Sequence, residues 1–164
     1  GSWVVVVGLN DLAPVAVLEA NLDAERIAFI DPGDSGRHVD VLAALIGAVD
    51  VIVLDARLSL RPSDGRRLAS RLRERGSILI VVSPGGAVNS SLSVDLSLTV
   101  GDAQWEGLGR GHGHLRSRHV RVGVNGRGRA SRMARCELLL PAIDAQVAIA
   151  ESEREDGTVV AFSR

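Results

Sequence analysis

Apolar residues follow two rhythms along this chain, and the change falls near residue 90. In the first part they form short continuous runs: Trp3-Val-Val-Val-Val7, Arg26-Ile-Ala-Phe-Ile30, Val51-Ile-Val-Leu54 and Ser77-Ile-Leu-Ile-Val-Val82. All four predict strands, with Trp3 to Val7 buried on both faces and Val51 to Leu54 buried as well. Helical patterns lie between them. Asn10 and Asp11 offer caps for a helix in which Leu12, Val15, Leu18 and Leu22 recur at helical spacing, with Pro14 in the first turn. Residues Val39 to Val49 predict an apolar-faced helix. Ser63 is the expected cap of a third helix. Its Leu68 and Leu72 face inward, Arg66, Arg67, Arg71, Arg73 and Arg75 face water, and Gly76 ends it. Strands alternating with helices through short connections predict a mainly parallel sheet with right-handed crossovers.

The second rhythm has period two. Leu92, Val94, Leu96, Leu98 and Val100 alternate with Ser93, Asp95, Ser97 and Thr99, as in a half-buried strand. Residues Arg118 to Val124 alternate likewise, and Asn125-Gly126 is a strong hairpin signal. A return strand ending in Cys136-Glu-Leu-Leu-Leu140 completes the pattern. The expected fold class is therefore α/β: one mixed sheet, with parallel strands and crossover helices in the first half and an antiparallel extension in the second. After Pro141 the order weakens. Ala145 to Ala150 allows a last helical turn, and Glu151 to Gly157 is acidic and exposed. Thr158-Val-Val-Ala-Phe162 is a short apolar tail that either frays or adds a strand to an edge, here or on a partner. The expected organisation is a tag remnant at 1–2, a core at 3–141 and an acidic tail at 142–164.

Composition narrows the chemistry. A length of 164 residues suits one domain. Aromatics are 2% and Tyr is absent, so a core must be built from Val, Leu, Ile and Ala. The longest apolar runs fall far short of the roughly 20 residues that span a bilayer, and no signal peptide is visible. The single cysteine, Cys136, rules out a disulfide within the chain and points to a reducing, cytoplasmic setting. Within a strand-like run it is expected to pack as a small apolar residue. The chain contains no lysine; all 19 basic residues are arginine. A phosphate loop with its lysine, and Schiff-base chemistry, are both excluded within this chain.

The net charge of −1 conceals three zones. Residues 1–100 carry 9 Arg against 12 acids, residues 101–136 carry 8 Arg against 2, and residues 137–164 carry 2 Arg against 6. The basic block, with Arg110, Arg116, Arg118, Arg121, Arg127 and Arg129, suits a phosphate backbone or an acidic protein surface. On a hairpin, Arg127, Arg129 and Arg121 are candidates for one face. The alternative is a solvated arginine face, because Trp105 is the only aromatic nearby to stack a base.

No catalytic residue stands out. Asp55 ends a buried strand, where open α/β sheets place their sites and where an acid holds Mg²⁺ near phosphates. Without a phosphate loop it has no phosphate to serve. The loop Asp31-Pro-Gly-Asp-Ser-Gly36 has the glycines of a phosphate cradle but brings two carboxylates that repel phosphate. His112 and His114, with His119 as a third, lack the cysteine or carboxylate spacing of a metal site. Ser83-Pro-Gly-Gly is not a nucleophile elbow. No metal and no cofactor is expected.

Gly47-Ala-Val-Asp-Val-Ile-Val-Leu-Asp55 resembles the Walker B strand of the RecA family, and Ser77 to Ser83 resembles the strand that follows it. The resemblance spans about residues 3–140 and makes the expected sheet RecA-like, with Asp55 a vestigial Walker B acid. The block from Trp105 to Arg116, with Arg127-Gly-Arg129 and Cys136-Glu-Leu-Leu-Leu-Pro141, resembles the actinobacterial form of ImuA. ImuA is the RecA-like partner in mutagenic translesion synthesis. This resemblance implies a complex with an ImuB-like, inactive relative of Y-family polymerases, and indirectly with an error-prone replicative-type polymerase and the sliding clamp. The family's sensor glutamine is absent after Val82, and the segments that hold RecA's DNA-binding loops are short, so strand exchange is not expected. Any phosphate loop would lie before residue 1. The expected role is a non-catalytic adaptor, with Val159, Val160 and Phe162 of the tail as its partner-binding residues. The alternatives are the downstream part of a RecA-like ATPase and a nonspecific DNA binder using Arg110 to Arg135.

Overall fold

The four continuous apolar runs form four strands of one parallel sheet: β1 (Val4–Val7), β2 (Ile27–Ile30), β3 (Val51–Asp55) and β4 (Ile78–Val82). The computed structural model describes residues 1–33, 36–83, 91–108, 113–127, 134–142 and 147–150. The chain divides into two units, Gly1–Asp95 and Leu96–Arg164.

In the first unit the strand order is β2-β1-β3-β4, and every neighbouring pair is parallel. Three helices make the crossovers: α1 (Pro14–Glu19), α2 (His38–Leu45) and α3 (Pro62–Arg75). The step from β1 to β2 runs one way, and those from β2 to β3 and β3 to β4 run the other. Right-handed crossovers therefore put α1 on one face and α2 and α3 on the opposite one. The packing agrees. Val5, Val7, Ile52 and Leu54 cluster with Leu42, Ile46, Leu60 and Leu68 of the α2 and α3 crossovers. Each fully buried aliphatic side chain there contributes roughly 1.5–3 kcal/mol. Strand alternation turns Val4, Val6, Val51, Val53 and Asp55 to the α1 side.

Local chemistry shifts the predicted helix ends. α3 starts at Pro62, whose fixed φ suits the first helical position, so Ser63 lies inside the first turn and no side chain caps the helix. Gly76 closes it in the left-handed region, at φ 69°. α2 ends at Leu45 rather than reaching Val49, because Ile46 is already extended. α1 is only six residues long. Asn21 takes a positive φ of 55°, and the N–H groups of Asn21 and Leu22 donate to the carbonyls of Leu18 and Val17. This stops the helix after less than two turns. Its one buried residue is Val17, so Val15, Leu18 and Leu22, whose spacing ordinarily marks a core stripe, stay exposed. Ile78, Ile80 and Val82 of β4 are exposed as well.

The second unit has an antiparallel sheet of its own, order β5-β6-β7-β8, rather than an extension of the first. Its strands are β5 (Leu96–Leu108), β6 (Gly113–Gly126), β7 (Ala134–Leu139) and β8 (Ala148–Ile149). β5 starts later than the alternation suggests and runs through two register shifts, at Val100/Ala103 and Glu106/Leu108. Gly107, at φ 99°, permits the second, where a Cβ would overlap the His114 carbonyl oxygen. Asn125 and Gly126 are not the hairpin turn. They pair with Ser97 and Leu96 as the end of β6, without the positive φ a type I′ turn needs. β8 stands where a helical turn was expected, pairing Ala148 and Ile149 with Leu139 and Leu138. Cys136 is exposed, not packed. Among the described residues no helix is long and apolar enough to cross a membrane.

Candidate functional site

The crossovers diverge between β1 and β3. In an open α/β sheet the crevice at the carboxyl ends of two such strands is the expected ligand site. Gly8 follows β1 there and Asp55 ends β3. Asp55 is 1% exposed, the one acid among the largest fully buried side chains.

Arg57 takes up this carboxylate. Its backbone N–H donates to Asp55 Oδ1 at 2.7 Å and its Nε–H to Oδ2 at 2.7 Å. Nη2 of Arg57 lies 2.6 Å from Asp55 Oδ2 and 3.1 Å from Asp11 Oδ2. The side-chain bond from Arg57, then the backbone bond and the guanidinium charge, hold the Asp55 carboxyl below its ordinary value, against the opposing effect of burial. The same partners push the Arg57 guanidinium up. Gly8 completes the closure. At φ 76° a Cβ would meet Leu58 Cδ1 at 2.7 Å and Asp55 Cβ at 3.5 Å. The switch point thus holds an internal ion-pair knot, two carboxylates on one guanidinium, with both Asp55 oxygens engaged. A cation there would have to displace Arg57.

The Asp31–Gly36 loop does not form a phosphate cradle on its described side. Asp31 Oδ1 accepts the Gly33 N–H at 2.9 Å, filling a donor that a phosphate would need. Asp34 and Ser35 lie outside the described residues. His38 Nε2 is 2.7 Å from the Ser59 carbonyl oxygen. No cluster of three His, Cys, Asp or Glu with metal-holding geometry exists among the described residues.

The second unit divides its arginines between two faces. Arg118 falls opposite Trp105 in the β5–β6 ladder, with its guanidinium 5.4 Å from the ring centroid and its Nε–H donating to Leu140 O at 2.8 Å. Arg116 shares that face by strand alternation and is exposed. Arg121 lies on the other face, 3.2 Å from Glu137 Oε1. Arg127 is exposed just beyond β6. Arg110, Arg129 and His112 lie outside the described residues, as do Val159, Val160 and Phe162. A single arginine stripe is therefore not what the described strands carry.

A polar cluster on the Arg121 face escaped the sequence reading. Buried Ser117 donates to Glu106 Oε2 at 2.9 Å, and His119 Nε2 lies 3.0 Å from Glu106 Oε1. Glu106, His119, Arg121, Glu137 and Gln104 line an open concavity of about 310 Å³. The available signal was register: Gln104 faces His119, Glu106 faces Ser117 and Arg121 faces Glu137, so their polar positions coincide. Arg57 was missed too, although a residue two places after a strand-end Asp is well placed to donate back to it.

Residues 1–87, a span that runs from β1 through β4, match the family model of the MT3502 N-terminal domain. No curated protein matches the chain. With more than half of its length matched, the chain belongs to the MT3502 N-terminal domain family.

Proposed function

We propose that this member of the MT3502 N-terminal domain family is a non-catalytic adaptor. It docks an ImuB-like, inactive Y-family polymerase homologue and helps assemble a damage-induced translesion complex at the bacterial nucleoid. The observation that carries the non-catalytic half is the state of Asp55. The acid best placed to hold a metal near a phosphate is buried and bound on both oxygens by Arg57. The lack of lysine points the same way. The choice of partner rests on the resemblance carried by Trp105 to Arg116, Arg127 to Arg129 and Cys136 to Pro141. No cofactor belongs to this reading. The test is titration calorimetry of the chain against the carboxyl-terminal region of the ImuB-like protein, beside a version ending at Pro141. Tight binding that disappears on truncation supports the adaptor and assigns docking to the tail. Absence of heat with both versions removes the partner.

A second reading has one observation in its favour. Trp105 is 45% exposed and shares its face with Arg116 and Arg118, a combination suited to stacking a single-stranded base beside phosphate contacts. Salt-dependent binding of single-stranded DNA, lost in Trp105→Ala, supports it; salt-independent binding counts against it.

A further inference from the structure

Among the described residues β5 is an edge strand that pairs with β6 alone. An edge presents N–H and C=O groups without ladder partners, and proteins ordinarily guard it with charges, proline, bulges or shortness. The two halves of β5 differ in this respect. Beyond Val100 it carries Glu106 and two register shifts, between Val100 and Ala103 and between Glu106 and Leu108. Leu96-Ser97-Leu98-Thr99-Val100 carries no charge, no proline and no register shift. At the opposite edge of the same sheet, β8 is only two residues long.

Register places the side chains of this unguarded stretch. Leu96, Leu98 and Val100 fall opposite Gly126, Val124 and Val122, and Ser97 and Thr99 fall opposite Asn125 and Gly123. Alternation puts the three apolar side chains on one face and the two hydroxyls on the other. Val122, with Val100 on one side and Cys136 on the other, is 7% exposed. Val100, on the same face but with a strand on one side only among the described residues, is 57% exposed, and Leu98 is 63% exposed.

A second copy of the stretch is complementary to it. Antiparallel pairing about a two-fold axis at Leu98 sets Leu98 against its own copy, Leu96 against Val100 and Ser97 against Thr99. Each apolar residue then meets an apolar one, each hydroxyl meets a hydroxyl, and no like charges are opposed. The start of β5 at Leu96 and the register shift after Val100 bound the stretch, which fixes its centre at Leu98.

We infer that the free edge of β5 is a self-association surface, through which two copies of this chain pair antiparallel over residues 96–100 about a two-fold axis at Leu98. The paired stretch is about 17 Å long at 3.4 Å per residue. So short an edge lacks the wide surface of an obligate dimer, so the pairing is weak and reversible. This contact stands apart from the adaptor reading and its partner.

The test is the mass of the whole chain by sedimentation equilibrium, from about 1 μM to about 1 mM. Wild type is expected to pass reversibly from one chain toward two. Leu98→Lys and Leu98→Glu each oppose like charges at the axis, and each is expected to weaken association about tenfold or more. Mixing the two variants opposes unlike charges there and is expected to restore association, a rescue that contact through another surface does not give. Leu98 is exposed, so both variants are expected to keep the wild-type circular dichroism. Should they lose it, amide hydrogen exchange of the wild type decides: protection of residues 96–100 that rises with concentration supports the edge, and unchanged protection overturns it. A wild type that stays one chain throughout also overturns it. So does association that both variants retain, which assigns the contact to another surface such as β4. Loss in both variants without rescue in the mixture overturns the two-fold pairing at Leu98.

Discussion

The two units of the chain keep their apolar residues differently. In the first, Val7, Leu42, Ile52, Leu54 and Leu68 are each at most 1% exposed; among the described residues of the second, Val120 alone among hydrophobics reaches that level. The parallel unit is held by packing of helices on one sheet face. The antiparallel unit has its ladder and polar cross-strand partners, Glu106 with His119 and Arg121 with Glu137. The difference locates the candidate chemistry. A rigid apolar sheet can bury a carboxylate such as Asp55 and compel it to take a partner, whereas the half-exposed sheet leaves its charged groups near water, where each pair is worth little.

Graded substitutions test this contrast. The largest effect is expected for Leu68→Ala, about 2–5 kcal/mol by urea denaturation, because α3 leaves a cavity against β3. Val120→Ala in the second unit should cost less, roughly 1–2 kcal/mol for the methyl groups removed. Equal costs would erase the distinction. Asp55→Ala should cost about 1–3 kcal/mol, since it strips partners from the Arg57 backbone and side chain.

The Asp55 carboxyl is lowered on folding, so its contribution is complete above the ordinary carboxylate value, about 3.9, and fades as pH falls through the lower folded value. Asp55→Asn should therefore flatten the loss of stability below about pH 4; an unchanged acid limb would dissociate the ion-pair knot from acid sensitivity. Gly65→Ala tests packing against propensity. Alanine favours the helix by up to about 1 kcal/mol, but a Cβ on buried Gly65 would overlap the Ser91 carbonyl oxygen. Net destabilisation of about 1–3 kcal/mol is expected by thermal unfolding, and a stabilised variant would show that the 91–92 segment yields. The smallest effect belongs to Glu106→Gln, which should shift stability by less than about 1 kcal/mol, because its contact with His119 is exposed and glutamine keeps an acceptor for Ser117.

The sequence revealed the parallel strands because their side chains answer to covered faces, and continuous runs such as Val51 to Leu54 report that directly. It placed Asp55 at a strand end but not under Arg57, since that contact depends on how the chain turns after β3. It overstated α1, because Leu12, Val15, Leu18 and Leu22 have helical spacing whether or not Asn21 cuts the helix short. The run from Ile78 to Val82 marked β4 as a strand without saying that Ile78, Ile80 and Val82 would be exposed. In the second half, period-two alternation revealed strands but not which sheet they join, and an Asn-Gly pair signals a turn only where its φ values turn positive. The polar cluster around Glu106 became visible only once register set Ser117 and His119 beside it.

Arg57 already occupies the switch-point carboxylate, and we propose that the chain works by contact. The most direct test is calorimetry of the whole chain against Mg-ATP and, in the same buffer, against the ImuB-like protein. A non-catalytic adaptor is expected to give saturable heat with the protein and none with Mg-ATP. Saturable Mg-ATP binding that Asp55→Asn abolishes, with no heat from the ImuB-like protein, would contradict it.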